Sequence, residues 1–196
     1  MTEAINNFLQ SFQSLCPEIT EEELDFIKSG TLISVYKKKE FYLDKTAVQK
    51  SIGFVYNGLI RCFYLNNSGK EITTNFIKEG EYATDYAAFL RQEKTMYCFE
   101  CLEDCILTSL SFETLQHGYN KYKTSEKIGR LIAEKVVEIR SKRLDSFLFN
   151  TAEERYLDFI SAKPDLFNRV SLTHLSSYLG IERQSLSRIR KKISIK

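Results

Sequence analysis

The sequence predicts an α+β protein with an N-terminal antiparallel β-roll, a long helix and a C-terminal helix-turn-helix. Three observations carry this prediction. Between about residues 31 and 115, apolar and polar residues alternate and turn residues recur at short intervals. A long stretch then repeats apolar residues at helical spacing, and a glycine separates two short helical patterns near the end. These patterns divide the chain into segments 1–120, 121–149 and 150–196.

Two helices are predicted before the roll. The first has one apolar face, formed by Ile5, Phe8, Leu9 and Phe12. The second runs from Thr20 to Gly30, and Thr20 and Glu23 have the spacing of a capping box. Gly30 is expected to end this helix, because a left-handed conformation costs glycine least.

Turn signals organise the predicted roll. Asn57-Gly58 lies between two alternating segments and predicts a two-residue hairpin. A second turn is expected at Asn66–Gly69, with further strands near Met96–Cys101 and Ile106–Leu110. Short strands at such spacing favour an antiparallel roll or barrel.

The long helix follows and should extend for about five to six turns. Thr124 or Ser125 is its expected N-cap. Its apolar stripe consists of Ile128, Ile132, Val136 and Ile139. The stripe has two interpretations: it packs on the roll of its own chain, or it forms a seam between two copies of the chain.

The C-terminal segment begins with a second capping box, Thr151 to Glu154, and the helix that it opens must end before Pro164. Ser171 is the expected N-cap of the next helix, and Gly180 ends it. Apolar residues recur at helical spacing on both sides of this glycine: Leu172, Leu175 and Leu179 before it, Leu186 and Ile189 after it. This is the arrangement of a helix-turn-helix.

The outer face of the second helix of this motif carries side chains suited to DNA. They are Arg183, Gln184, Ser187 and Arg188, followed by Arg190, Lys191 and Lys192. Arginine bonds guanine bidentately, glutamine does so with adenine, and serine adapts to several bases. A solvated basic helix would explain the charges alone. Their combination with the apolar positions and the turn glycine favours double-stranded DNA as a partner. Because such motifs usually bind two half-sites, we also expect a homodimer and favour the seam interpretation of the long helix.

This order of elements resembles the CRP/FNR family of bacterial transcription regulators, and GIERQSLSRIRKKI is similar to that family's recognition helix. The resemblance implies a cyclic-nucleotide-binding-like roll (a double-stranded β-helix) and a regulator of transcription, with RNA polymerase as a candidate partner. It also implies that Arg183, Gln184 and Arg188 reach base edges. The residues expected to contact phosphate are Ser171, Thr173, His174, Arg190, Lys191 and Lys192.

The roll departs from the family where nucleotide-binding members hold their ligand. Those members carry a Gly-Glu pair and an Arg followed by a small hydroxyl residue; here the positions hold Thr84-Asp85 and Thr95-Met96. Arg91 lies four residues too early, and an anion buried without a charged partner is disfavoured. We therefore expect an effector other than cyclic AMP, or none, with Asp85, Arg91 and Thr95 as candidate pocket residues.

Composition and the remaining motifs narrow the functional class. The chain has 196 residues, a net charge of +2 and a hydrophobic fraction of 43%. It shows neither an apolar run of membrane-span length nor a secretion signal, so a cytoplasmic location is expected. Cys98 and Cys101 would point to opposite faces of one strand, so we expect no metal site and no cofactor. No converging catalytic set is visible, so we expect no enzyme. A small-molecule-binding or redox-sensing signalling module, whose helix-turn-helix contacts protein, remains the alternative.

Overall fold

The computed structural model describes residues 1–194, which form eight α-helices and eight β-strands. The helices are α1 (Thr2–Leu15), α2 (Glu21–Gly30), α3 (Tyr86–Arg91), α4 (Phe112–Lys121), α5 (Lys123–Phe149), α6 (Ala152–Ala162), α7 (Leu172–Leu179) and α8 (Arg183–Ser194). The strands are β1 (Leu32–Tyr36), β2 (Phe41–Leu43), β3 (Ser51–Asn57), β4 (Ile60–Leu65), β5 (Glu71–Ile77), β6 (Tyr82–Ala83), β7 (Cys98–Cys101) and β8 (Cys105–Ser111). None of the helices in this described part of the chain has the length and hydropathy needed to cross a bilayer.

The strands form two four-stranded sheets, in the orders β1-β8-β3-β6 and β2-β7-β4-β5. β8 pairs antiparallel with β1 and β3, and β7 pairs antiparallel with β2. Apolar residues from both sheets form one core, which includes Val55, Ile60, Phe99 and Leu107. The predicted α+β class and antiparallel roll are confirmed.

A second core lies between the roll and the N-terminal helices. Phe8 and Phe12 of α1 cluster with Phe54 of β3, Leu110 of β8 and Ile128 of α5. The ring centroids of Phe8 and Phe54 are 5.3 Å apart. The predicted apolar face of the first helix is thus confirmed, and it packs on the outside of the roll.

The predicted hairpin at Asn57-Gly58 is wrong. The strands on either side of it, β3 and β4, belong to different sheets, so this turn carries the chain from one sheet to the other. Gly58 is nevertheless required, because its φ is +103° and a Cβ there would lie 2.6 Å from the carbonyl oxygen of Asp104. The turn at Asn66–Gly69 does join neighbouring strands, β4 and β5, as predicted.

Glu23 does not complete the predicted capping box of α2. The hydroxyl of Thr20 accepts from the Glu23 N–H at 3.3 Å, so the threonine half of the box is confirmed. The Glu23 carboxylate is fully buried and accepts hydrogen bonds from the hydroxyls of Thr124 and Ser125. These two residues lie inside the first turn of α5, which begins at Lys123, so their prediction as N-caps is wrong.

Three helical features differ from the sequence prediction. α4 occupies a segment where the pattern predicts no helix, and the Ser111 hydroxyl caps it by accepting from the Thr114 N–H at 3.0 Å. α5 has 27 residues, about seven and a half turns at 3.6 residues per turn. Gly30 is the last residue of α2 and has no left-handed φ. Its small size matters because a Cβ there would lie 2.6 Å from the Thr114 methyl group.

Contacts group the chain into two compact units. The first contains residues 1–62 and 76–137, and the second contains residues 63–75 and the chain from residue 138 onward. The second unit therefore includes the tip of the β4–β5 hairpin as well as the helix-turn-helix. The segments predicted from the sequence, 1–120, 121–149 and 150–196, are placed at changes in the local pattern. A local pattern cannot show that the tip of a hairpin packs with residues far along the chain.

Candidate nucleic-acid interface

α7 and α8 form the helix-turn-helix predicted from the sequence. The Ser171 hydroxyl caps α7 by accepting from the His174 N–H at 3.1 Å. Gly180 ends α7 with a φ of 68°, the left-handed conformation expected of a C-terminal glycine. Leu179 and Leu186 are fully buried where the helices pack, so the opposite face of α8 points outward.

The predicted base-reading residues lie on this outward face. Arg183, Gln184, Ser187 and Arg188 are all exposed. The Ser187 hydroxyl donates to the Arg183 carbonyl oxygen at 3.1 Å, so its remaining capacity is that of an acceptor. The face therefore offers two guanidinium groups, an amide and a hydroxyl oxygen, which together can match donors and acceptors on base edges.

The basic residues at the end of α8 have partners within the second unit. Lys192 pairs with Glu153 of α6 at 2.7 Å, and the Arg190 guanidinium lies 4.8 Å from the ring centroid of Phe167. Lys191 is exposed. An exposed ion pair contributes only about 0–1 kcal/mol, so Lys192 can exchange Glu153 for a phosphate at small cost.

The start of α7 holds the other residues predicted to contact phosphate. Ser171 and Thr173 are exposed, and His174 is half-buried. The first turn of a helix carries amides without helical acceptors and the positive end of the dipole. This geometry suits an anion, and the phosphate-binding roles of Ser171, Thr173 and His174 stay predictions.

Two arginines hold the C-terminal end of α7, and the sequence patterns do not indicate them. Arg143 of α5 donates to the carbonyl oxygen of Tyr178. Arg155 of α6 donates to the carbonyl oxygen of Leu179 at 3.1 Å. Carbonyl groups at a helix end lack helical donors, and the dipole favours cations there. Burial lowers the pKa of Arg143 from its ordinary value, but arginine stays protonated at neutral pH.

Phe147 of α5 connects these arginines to the turn. The Arg143 guanidinium lies 4.2 Å from the Phe147 ring centroid and 3.7 Å from that of Tyr178, within cation–π range. The Arg155 guanidinium lies 5.0 Å from the Phe147 centroid. A Cβ added to Gly180 would lie 2.6 Å from the Phe147 ring. Glycine is therefore favoured at position 180 for two reasons: its backbone is left-handed, and the Phe147 ring lies where a Cβ would be.

The predicted stripe of α5 faces its own chain over much of its length. Ile128 is 2% exposed and belongs to the core of the first unit, and Ile132 packs against that core. Val136 is half-buried, and Ile139 is 49% exposed. At about 100° per residue, this face continues to Arg143 and Phe147. Ile128 and Ile132 therefore pack within their own chain, so they are not free to form a seam between two copies.

A second apolar face of α5 is exposed. Val137, Leu144 and Leu148 are 63%, 59% and 65% exposed, respectively. They lie at positions i, i+7 and i+11, which share one side of a helix. This face lies roughly 145° around the helix from the predicted stripe.

Known proteins were compared with the chain by sequence and by fold. No protein-family model matches the sequence, and no curated protein is significantly similar to it. FixK2 from Bradyrhizobium japonicum is similar in structure, with a TM-score of 0.73, 15% identity and coverage of 84% of this chain and 85% of that chain. The c-di-GMP responsive global regulator CLP of Xanthomonas campestris has a TM-score of 0.71, 15% identity and coverage of 90% and 92%. A proposed transcriptional regulator of the CRP/FNR family from Eubacterium rectale has a TM-score of 0.72, 12% identity and coverage of 94% and 88%.

The chain has the CRP/FNR fold. Within this fold, the residues at the candidate ligand positions bond one another. The Thr95 hydroxyl donates to Asp85 Oδ2 at 2.8 Å, and both residues are buried. Arg91 has a side chain that is 61% exposed and pairs with Glu93 at 2.7 Å. The structure thus brings Asp85 and Thr95 together but does not bring Arg91 to them.

Gln49 adds to this network, and no sequence pattern indicates it. Its buried side-chain amide donates to the carbonyl oxygens of Ser51 and Ala83 at 2.8 and 3.2 Å. Its side-chain oxygen accepts from the Asp85 N–H at 3.0 Å. A single glutamine between two strands carries no local signal, because its partners come from distant segments.

Proposed function

We propose that this protein is a homodimeric regulator of transcription that binds a two-fold symmetric DNA site, working in the cytoplasm. The observation that carries the proposal is the orientation of α8. Its inner residue Leu186 is fully buried, whereas Arg183, Gln184, Ser187 and Arg188 are exposed together on its outer side. A helix in this position of a helix-turn-helix enters the major groove and reads base edges.

The dimer is proposed to form through the exposed apolar face of α5, Val137, Leu144 and Leu148. Apolar side chains on the free side of a long helix are stabilised when a second copy covers them. Two recognition helices must lie about 34 Å apart to enter successive turns of the duplex.

The roll supports an effector other than cyclic AMP, or none. Thr95 already donates to the Asp85 carboxylate, and Gln49 already accepts from the Asp85 N–H, so a nucleotide would have to replace buried hydrogen bonds. Arg91, the arginine predicted as a pocket residue, has an exposed side chain and pairs with Glu93.

Selection from a random duplex library tests the proposal, with the purified protein at a stated salt concentration. The expected result is enrichment of a two-fold symmetric motif with half-sites about one duplex turn apart. Retention of duplexes without any enriched motif would limit α8 to phosphate contacts. Failure to retain DNA would favour the alternative, a signalling module whose helix-turn-helix contacts protein.

A further inference from the structure

The tip of the β4–β5 hairpin packs with the helix-turn-helix inside the second unit. β5 is the outer strand of its sheet. Residues two apart on such a strand direct their amide and carbonyl groups to the same edge, as Glu71 and Thr73 do here. A strand edge of this kind needs partners for its backbone groups.

Ser177 of α7 supplies partners for both groups. Its hydroxyl donates to the Glu71 carbonyl oxygen at 3.0 Å and accepts from the Thr73 N–H at 2.9 Å. A serine hydroxyl has one donor hydrogen and two lone pairs, so one side chain reproduces the pairing that a neighbouring strand would give. The first helix of the motif is thereby attached to the hairpin.

A charged contact accompanies this attachment. Lys70, at the end of the hairpin turn, pairs with Glu182 at 3.2 Å. Glu182 directly precedes Arg183, the first residue of α8. Its carboxylate suits the positive end of the helix dipole, but it would repel a phosphate that approaches the same end.

We propose that the β4–β5 hairpin contributes to DNA binding by positioning the helix-turn-helix. Ser177 is a positioning residue that holds α7 on the edge of β5, and Lys70 offsets the charge of Glu182 beside the recognition helix. This proposal rests on the proposed DNA-binding function. It adds that a segment of the roll, distant in sequence, sets how the recognition helix meets DNA.

The Ser177 contact is tested with Ser177→Ala, with Ser177→Thr as the variant that keeps the hydroxyl. Ser161→Ala, on an exposed position of α6, is the control. Ser177→Ala should speed hydrogen exchange at the Thr73 amide and lower affinity for the selected site by about 3- to 10-fold, as expected for lost hydrogen bonds. Affinity for random duplex should change less, because a positioning residue affects base contacts more than phosphate contacts. Ser177→Thr should restore most of both.

The two readouts separate this proposal from the proposed function. If the wild-type protein selects no motif, the proposed function fails, and the hydrogen exchange alone then decides whether the attachment exists. Unchanged exchange at Thr73 in Ser177→Ala overturns the attachment. Equal or higher affinity for the selected site in Ser177→Ala overturns its role in DNA binding.

The Lys70 contact is tested by charge restoration. Lys70→Ala should weaken binding to all duplexes by about 2- to 5-fold at low salt, as loss of one cation near phosphates does. Adding Glu182→Gln should return the affinity to the wild-type level, because the local net charge is then the same. Lys142→Ala, which removes a lysine paired with Glu138 on α5, is the matched control. A double variant as weak as Lys70→Ala would overturn the role of Lys70.

Discussion

At the scale of single residues, Gly180 combines a left-handed backbone with a close aromatic neighbour. Its φ is 68°, and a Cβ there would meet the Phe147 ring at 2.6 Å. Gly69, in the hairpin turn, has a similar φ of 77°, but a Cβ there would meet nothing within 4 Å. A substitution at Gly69 therefore introduces backbone strain alone, whereas one at Gly180 introduces backbone strain and a steric clash.

Gly180→Ala should lower the free energy of unfolding by about 2–4 kcal/mol, whereas Gly69→Ala should lower it by about 1 kcal/mol. Both variants place alanine in the left-handed region, and only the first also forces Phe147 to move. Urea denaturation measures both. Equal losses in the two variants would show that the ring adapts without cost.

Glu23 is a second residue whose role depends on its neighbours. Its buried carboxylate holds the hydroxyls of Thr124 and Ser125, and hydrogen bonds to a charged group are worth about 1.5–3 kcal/mol. Glu23→Ala should therefore lower the free energy of unfolding by about 1.5–3 kcal/mol. Glu21→Ala, exposed in the same first turn, is the control and should cost less than about 0.5 kcal/mol. Similar urea midpoints for both variants would show that the hydrogen bonds of Glu23 do not stabilise the fold.

At the scale of elements, the proposed function requires exposed side chains of opposite polarity on α8 and α5. α8 needs polar side chains on the side away from its own core, and α5 needs apolar ones. The structure assigns these sides by burial, since Leu186 and Ile128 face inward while Arg183 and Leu144 do not.

Arg183→Ala and Arg188→Ala should each weaken binding to the selected site by about 1–3 kcal/mol and relax the preference at one base position. Lys191→Ala should instead weaken binding to all sequences and reduce the salt dependence. Repeating the library selection with each variant measures the preference. Unchanged motifs in both arginine variants would exclude them from base reading.

Leu144→Glu should shift the protein toward a monomer, because it places a charge in the proposed apolar seam. Glu138→Gln, which changes an exposed charge about 100° around α5 from this face, should leave the mass unchanged. Sedimentation over a range of concentrations measures both. A dimer that persists in Leu144→Glu would place the interface on another surface.

At the scale of the whole molecule, the roll contains a buried polar network at the positions predicted for a ligand. The buried network of Asp85, Thr95 and Gln49 gives the interior polar groups partners within the protein. We therefore propose that any signal to the roll comes through a ligand other than cyclic AMP or through another surface.

Cyclic AMP should therefore leave the melting temperature unchanged. A ligand present at 100 times its Kd would stabilise the folded state by about 2.7 kcal/mol, which is readily seen for a chain of this size. Thermal denaturation at rising cyclic AMP concentrations measures the effect. A saturable rise in melting temperature would show that the network opens to admit the nucleotide.

Local features of this protein follow from the sequence by itself. The Thr151–Glu154 capping box, the Ser171 cap and the left-handed Gly180 each depend on residues a few positions apart. Short-range hydrogen bonds and side-chain periodicity therefore predict them. The outward position of Arg188 also follows, because it lies two residues after Leu186 and therefore about 200° around the helix. Arg183 lies three residues before Leu186, only about 60° away, so its exposure is decided by the structure.

Only the tertiary structure decided which distant segments meet. The partners of Glu23 lie 101 and 102 residues away, and Ser177 lies 106 residues from Glu71. The same holds for the pairing of β3 with β8, and not with β4 on the other side of the Asn57-Gly58 turn, and for the face of α5 that stays exposed. The physical reason is that burial and strand pairing depend on the packing of the whole chain, which no local pattern contains.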